Sequence, residues 1–380
     1  MSASQMALLI LLPLYVVEVG HSPAFAAAIV GVRGIGLLCF DLPAGALVAR
    51  YGERPVLLAG LLLIIAGTLL LALGDSVAFI SVAAWLIGAG FAAWMLGRQS
   101  YIADVCENHE VGRAIAGMAG LQRVGIFIGP ATGGMLVSAL GFDITFLVGA
   151  LVAAFAGGFV FLFARGADVD HAQRSELPDG MLNLLVRNTR IFATAGVAAL
   201  ILQFMRAARQ LLVPLVGQSV GLDVVQIGTI YSLSAAIDMS LFYPVGVMVD
   251  RWGRKWSVVP SMVLFSMGLA GLGAVSGYYS LLLVGCILGL ANGIGTGIVM
   301  ILGSDLAQRS SQRGRFLGLW RLFGDSGMAL APMATGFIVA AASLSAASLA
   351  VAAVGFMGAG IALWLVPETL SRPVGGARRP

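Results

Sequence analysis

Apolar runs of about 20 residues, long enough to cross ~30 Å of hydrocarbon at 1.5 Å per residue, recur about twelve times along these 380 residues. In lipid every backbone N–H and C=O has to be satisfied within the run itself, so each run is predicted to be an α-helix. The expected fold is all-α and integral to the membrane, with 12 transmembrane helices in two pseudo-symmetric six-helix bundles. Composition supports this, since 59% of residues are hydrophobic and 11% charged, against about 25% charged in a soluble domain. The mean hydropathy is +0.97.

The two bundles are predicted from an internal repeat. Gly246-Val247-Met248-Val249-Asp250-Arg251-Trp252-Gly253-Arg254-Lys255 sets a cationic turn between two apolar runs. Moving 201 positions upstream gives Gly45-Ala46-Leu47-Val48-Ala49-Arg50-Tyr51-Gly52-Glu53-Arg54, with the glycines in register and Ala49 where Asp250 stands. At the same offset Pro13 falls on Pro214, Gly20 on Gly221, Pro43 on Pro244 and Asp104 on Asp305. After a one-residue slip, Gly112-Arg113 falls on Gly314-Arg315 and Pro130 on Pro332. Rare residues recurring at one period mark a duplicated unit.

The expected organisation is a bundle over 1–164, a cytoplasmic linker over 165–190, a second bundle over 191–368 and a cytoplasmic tail over 369–380. Helices are predicted up to about 19 and at about 24–48, 55–73, 77–105, from 113 onward, 144–163, 191–216, 224–249, 256–275, 281–302, 315–341 and up to about 366. Basic residues collect in the alternate loops at Arg50, Arg54, Arg113, Arg165, Arg174, Arg187, Arg190, Arg251, Arg254, Lys255, Arg309, Arg313, Arg315, Arg372, Arg378 and Arg379. Basic short loops stay in the cytoplasm, so both termini are expected inside a cell membrane, and the net charge of +4 reflects topology and not a nucleic-acid partner. The first helix is about ten residues shorter than its copy, so either it is short or the true start lies upstream of Met1. The start lacks the basic n-region and cleavage site of a signal peptide. Segment 181–190 alternates Leu182, Leu185 and Val186 with Arg187 and Arg190, and reads either as a surface helix or as a frayed helix start.

Several chemistries lack their residues. Lys255, the only lysine, precedes Trp256, where a phosphate-binding loop needs Ser or Thr. His21, His109 and His171 are scattered, Cys39, Cys106 and Cys286 suggest no disulfide framework, and no metal site or cofactor is expected. The glycines of Gly31-Val32-Arg33-Gly34-Ile35-Gly36 lie inside an apolar helix with no preceding strand, against a dinucleotide fingerprint. No nucleophile, base and orienting acid come together, so the chain does not read as an enzyme.

Nine charges do fall inside predicted helices: Arg33, Arg98, Arg123, Arg206, Arg209, Arg321, Asp41, Asp238 and Asp325. Each costs a few kcal/mol at the bilayer centre unless paired or wetted. Depths counted from the inner basic anchors put Arg123 and Asp238 at ~15 to 18 Å and Asp41 and Arg321 at ~9 to 14 Å, so each couple is able to pair. Asp325 matches Arg123 in the duplication. Gly125, Gly129 and Gly133 lie on one helical stripe broken by Pro130, and Gly289, Gly293 and Gly297 form another, both suited to close helix packing.

The inner-turn sequence, its altered copy, the duplication and the long middle linker together resemble the major facilitator superfamily across essentially the whole chain. Gly125 to Gly134, including Gly129, Pro130 and Gly133, resembles that superfamily's antiporter signature. The resemblance implies that the first, second, fourth and fifth helices of each half line a central cavity, with the fifth beside the eighth and the second beside the eleventh. Two features depart from its drug exporters: Ala49 replaces the loop acid, and Ala84-Trp85-Leu86-Ile87-Gly88 replaces the arginine motif, with Arg98 about four turns later. The expected function is a proton-coupled exporter of a small amphiphilic, anionic molecule. Asp41, Asp238 and Asp325 are its candidate proton carriers and the arginines its substrate ligands. A proton symporter importing an organic anion and a non-transporting membrane sensor are the alternatives. The expected partners are a small molecule, protons and the bilayer, with the chain acting as a monomer.

Overall fold

The computed structural model describes residues 1–105, 111–164, 181–308 and 313–368. Cys106, His109, the stretch 165–180, Arg309 and the tail from 369 lie outside the described residues. Among the described residues the fold is entirely helical, with ten helices long and apolar enough to cross a membrane. The helices are α1 (Ser2–Glu18), α2 (Pro23–Tyr51), α3 (Glu53–Leu73), α4 (Val77–Val105), α5 (Val111–Phe163), α6 (Met181–Arg187), α7 (Thr189–Ile191), α8 (Val197–Ser219), α9 (Val224–Trp252), α10 (Lys255–Gly271), α11 (Tyr278–Ile294), α12 (Ile298–Ala307), α13 (Arg313–Ala341) and α14 (Leu344–Trp364). Phe155, Phe159, Tyr279 and Phe337 point their rings outward, 59% to 83% exposed. Such a surface is costly in water and suited to acyl chains.

The repeat is visible in the turns. Gly20 (φ 92°) and Gly221 (φ 80°) close the turns before α2 and α9, and Gly52 (φ 82°) and Gly253 (φ 108°) close the turns after them. Only glycine holds such a backbone without strain. Ser22 and its counterpart Asp223 then start the two helices: Ser22 Oγ accepts from Phe25 N at 3.2 Å, and Asp223 Oδ1 accepts from Gln226 N at 2.7 Å. Each cap satisfies a backbone donor left over at a helix start.

One junction falls where it is predicted, and two departures from the predicted elements have local causes. Gly141 (φ 81°, ψ 172°) breaks the 53-residue α5 into two limbs where two separate helices are predicted. The predicted helix over 281–302 is broken as well, because Gly297 takes φ 73° between α11 and α12. Gly297 is therefore not part of a packing stripe; a Cβ there would meet nothing within 4 Å, whereas Gly289 and Gly293 do lie against α9. The helix predicted from 191 begins earlier, with α6, α7 and a π-helical turn, Phe192–Gly196, leading into α8. Asn188 Nδ2 donates to Leu184 O at 2.9 Å across that junction.

Helices α1 to α5 pack on one another, as do α8 to α14, and the two groups meet along α5 with α9 and α2 with α13. Small residues make both seams. A Cβ at Gly134 would lie 2.6 Å from Val224 O, one at Gly34 3.1 Å from Ala329 Cα, and one at Gly336 2.8 Å from Ala27 Cβ. On the same helices toward the basic turns, Gly117, Gly120 and Gly246 would meet nothing within 4 Å, and Gly45 only Leu96 of its own group. Glycine contacts thus close the seams at the end away from the basic turns, and these four glycines near the basic turns touch no described residue of the other group.

Candidate functional site

Between the two groups lies a central cavity with two lobes. The first, about 300 Å³, is bounded by charged residues Arg33, Asp41, Arg321 and Asp325, with Phe91 and Met95 as apolar wall. The second, about 370 Å³, is bounded by Arg123, Arg206, Arg209 and Asp238, with Tyr231, Asn292, Thr296 and Gly297. Met6, Gln122, Ile126, Gln203, Gln210 and Met328 line both and join them. Formal charges cancel in the first lobe and leave +2 in the second. Arg98 lines neither; it stacks 4.2 Å from the Trp94 ring centre and donates to Gln122 Oε1 at 3.0 Å.

One ion pair crosses each seam, and the two run in opposite senses. Arg123 of α5 reaches Asp238 of α9, with Nη1 3.8 Å from Oδ1 and its guanidinium 4.2 Å from the Phe242 ring centre. Arg321 of α13 reaches Asp41 of α2, with Nη2 3.2 Å from Oδ1. These are the two couples that depth alone brought level in the sequence. Arg321 also lies on Asp325 through Nε at 3.3 Å, as their i, i+4 spacing allows, so one guanidinium serves two carboxylates. Asp238 accepts from Asn292 Nδ2 at 2.8 Å and from Thr296 Oγ1 at 2.9 Å. Thr296 stands directly before the break at Gly297.

The remaining arginines are held without acids. Arg206 donates from Nη1 to Gln203 Oε1 and from Nη2 to Gly295 O, both at 2.7 Å, and its Nε has no partner. Arg209, 6% exposed, donates to Ser234 Oγ at 2.7 Å and lies 5.0 Å from the Tyr231 ring centre. Arg33 faces Phe91 at 5.6 Å. Among the described residues, the buried cavity-lining atoms without partners, Gln5 Nε2 and Arg206 Nε, are both donors. Sequence reasoning missed the amides. Gln203 and Gln210 sit seven residues apart on one face of α8, a spacing that signals a polar stripe in an apolar helix.

The glycine stripe of α5 packs on α1: Cβ atoms at Gly125 and Gly133 would lie 2.6 Å from Ser2 Cβ and 2.7 Å from Ala7 Cβ, and Gly129 lies against the backbone of Ala3. Pro130 of the same stretch faces Gly228 of α9. The basic turns are fastened separately. Arg254 binds Asp305 Oδ2 through Nε at 2.9 Å, with Asp250 at 4.0 Å, while Lys255 Nζ donates to Leu363 O at 2.9 Å. In the first copy Arg54 donates to Phe161 O at 2.6 Å. Glu368 accepts from the backbone N–H of Arg254 at 2.9 Å and of Lys255 at 3.2 Å. Arg50 lies 5.3 Å from the Tyr51 ring centre, and Arg251 is exposed.

Two groups of helices around a charged central cavity, ten of them long and apolar enough to cross a bilayer, are the architecture of a multi-pass membrane protein. A sequence profile of the Major Facilitator Superfamily matches residues 1–208 and 195–379, and the chain belongs to that superfamily. It is 23% identical over 323 residues to the multidrug resistance protein MdtH of Yersinia enterocolitica (serotype O:8 / biotype 1B), covering 81% of this chain and 76% of the relative. It is 22% identical over the same length to the MdtH of Yersinia pestis (strain Pestoides F). Among solved structures it resembles the nucleoside transporter NupG, with a TM-score of 0.79, 16% identity and 96% and 98% of the two chains covered. It also resembles a POT family transporter in complex with a thioalcohol conjugated peptide, with a TM-score of 0.78, 13% identity and 95% and 92% covered.

Proposed function

We propose that this chain is a proton-coupled exporter of small amphiphilic anions, working by alternating access as a monomer in a cell membrane. In this reading α5 crosses twice, about Gly141, and α1 crosses once, giving 12 crossings with both termini inside. The observation that carries it is the pair of oppositely directed ion pairs across the two seams, set in a cavity with surplus arginine. A charge pair spanning two rigid bodies links their separation to whatever neutralises either partner. Arginine forks with aromatic and methionine walls suit a carboxylate or phosphate on an apolar body. The relatives named multidrug resistance protein MdtH favour export.

In this reading the cavity opens on the side of the basic turns, where Gly117, Gly120 and Gly246 meet no described neighbour, and that side faces the cytoplasm. The test uses proteoliposomes sorted for inside-out orientation, with labelled 2-naphthoate outside and an acidic lumen. An exporter accumulates the label in exchange for protons. A symporter accumulates it only with the gradient reversed, and accumulation indifferent to the gradient would refute proton coupling.

A further inference from the structure

The two seam pairs are not equivalent, because in each only one partner has a second partner of its own half. Asp238 keeps Asn292 and Thr296 if α5 moves away, and Arg321 keeps Asp325 one turn along its own helix. Arg123 has no such reserve: its acid and its aromatic face, Asp238 and Phe242, both belong to α9. Asp41 has none either, since its ion-pair partner is on α13. Parting the seams therefore strands two charges, one cation and one carboxylate, at opposite sides of the cavity. An unpaired charge away from water is expensive, so each needs a new counterpart in the parted state.

Resting on the transport reading above, we infer that the transported species supply those counterparts: an anionic group binds Arg123, and a proton binds Asp41, leaving Asp238 and Asp325 as fixed anchors. The anion's seat is the second lobe, where Arg206 and Arg209 add positive charge and Arg206 Nε stands without a partner. The 3.8 Å separation of Arg123 from Asp238, against 2.8 and 2.9 Å for Asn292 and Thr296, marks Arg123 as the partner that leaves. An entering anion thus competes with Asp238 for Arg123. Around Asp41 the charged groups are Arg321 and Asp325 from α13 and Arg33 of its own helix. From α4, Gln99 Oε1 accepts from Arg321 at 3.5 Å, and Arg98 turns to Gln122. With both acids ionised Arg321 is shared between two carboxylates; a proton on Asp41 leaves the Arg321 and Asp325 couple intact and neutral. In an export cycle the anion leaves Arg123 on the outside, a proton enters on Asp41, and the proton leaves inside as Asp41 meets Arg321 again.

The test is equilibrium binding of 2-naphthoate to the purified full chain at pH 6 and pH 8, where the probe stays ionised, with 2-naphthamide as its neutral match. The wild type is expected to prefer naphthoate at least tenfold and to change its affinity at least threefold between the two pH values. Arg123→Gln should lose that preference. Asp238→Asn should bind naphthoate several-fold tighter, a gain that damage to the fold does not produce, and should keep the pH dependence. Asp325→Asn should keep it too, and Asp41→Asn should bind naphthoate with no pH dependence. Absence of naphthoate preference in the wild type, tighter binding by Arg123→Gln, or loss of the pH dependence in Asp238→Asn or Asp325→Asn with its retention in Asp41→Asn would overturn the assignment. Because this is binding without flux, its outcome is independent of the vesicle exchange that tests the transport reading itself.

Discussion

Gly134 offers the sharpest perturbation of the closed seam. Replacing it with alanine puts a Cβ 2.6 Å from Val224 O and 3.2 Å from Val225 Cα, where ordinary contact begins at 3.4 Å. Both neighbours are backbone of the first turn of α9, so no rotamer change relieves the overlap, and α5 and α9 have to separate by about 0.8 Å at that level. Overpacking of this kind costs about 1–3 kcal/mol, and the cost falls on the state with this seam closed. In the proposed cycle the ratio of cytoplasm-open to outside-open molecules should then fall about 5-fold to 150-fold. The assay follows a membrane-impermeant maleimide reacting with Gly120→Cys, in a background of Cys39→Ser, Cys106→Ser and Cys286→Ser, because a side chain at 120 meets no described neighbour and lies on the side proposed to open. Labelling from the cytoplasmic side should slow in Gly134→Ala and stay unchanged in the control Gly158→Ala, whose Cβ would meet nothing within 4 Å. Unchanged or faster labelling in a Gly134→Ala protein of wild-type melting temperature would refute the claim that glycine contacts hold the seam at the end away from the basic turns.

Other outcomes follow from the same geometry. Arg321→Gln leaves Asp41 and Asp325 facing each other without their shared cation; the melting temperature should drop and recover in part in Arg321→Gln/Asp41→Asn. Gly253→Ala forces a side chain onto φ 108° beside the Glu368 carboxylate, with a cost of about 1–3 kcal/mol, read as a lower yield of folded protein and a lower melting temperature. Asp305→Asn weakens the partly buried Arg254 contact; exchange of the 246–255 amides with deuterium should quicken, with cavity binding of 2-naphthoate unchanged.

The charges were legible because a bilayer makes them rare. Nine charged residues in apolar runs stand out, and counting 1.5 Å per residue from the inner arginines levels Arg123 with Asp238 and Asp41 with Arg321, the pairs the structure forms. Gly20, Gly52, Gly221 and Gly253 were legible as turns because the duplication repeats them, and all four take positive φ. The glutamines between the lobes were not, since an uncharged amide in an apolar helix is tolerated on many faces. Gly297 was misleading, because its spacing from Gly289 and Gly293 fits a packing stripe, while its backbone is spent on a break directly after Thr296, which donates to Asp238. Glu368 was invisible for another reason. Its two backbone donors lie 114 and 113 residues away, and only the closed bundle brings them together.

The most direct test of the coupled account records protons and anions together. In proteoliposomes with no imposed gradient and a pH dye in the lumen, a pulse of 2-naphthoate should move protons opposite to the anion, one for one. Arg123→Gln should abolish both movements, and Asp41→Asn should abolish the proton movement alone. Anion flux by the wild type with a silent dye, or a full proton signal in Asp41→Asn, would contradict the account.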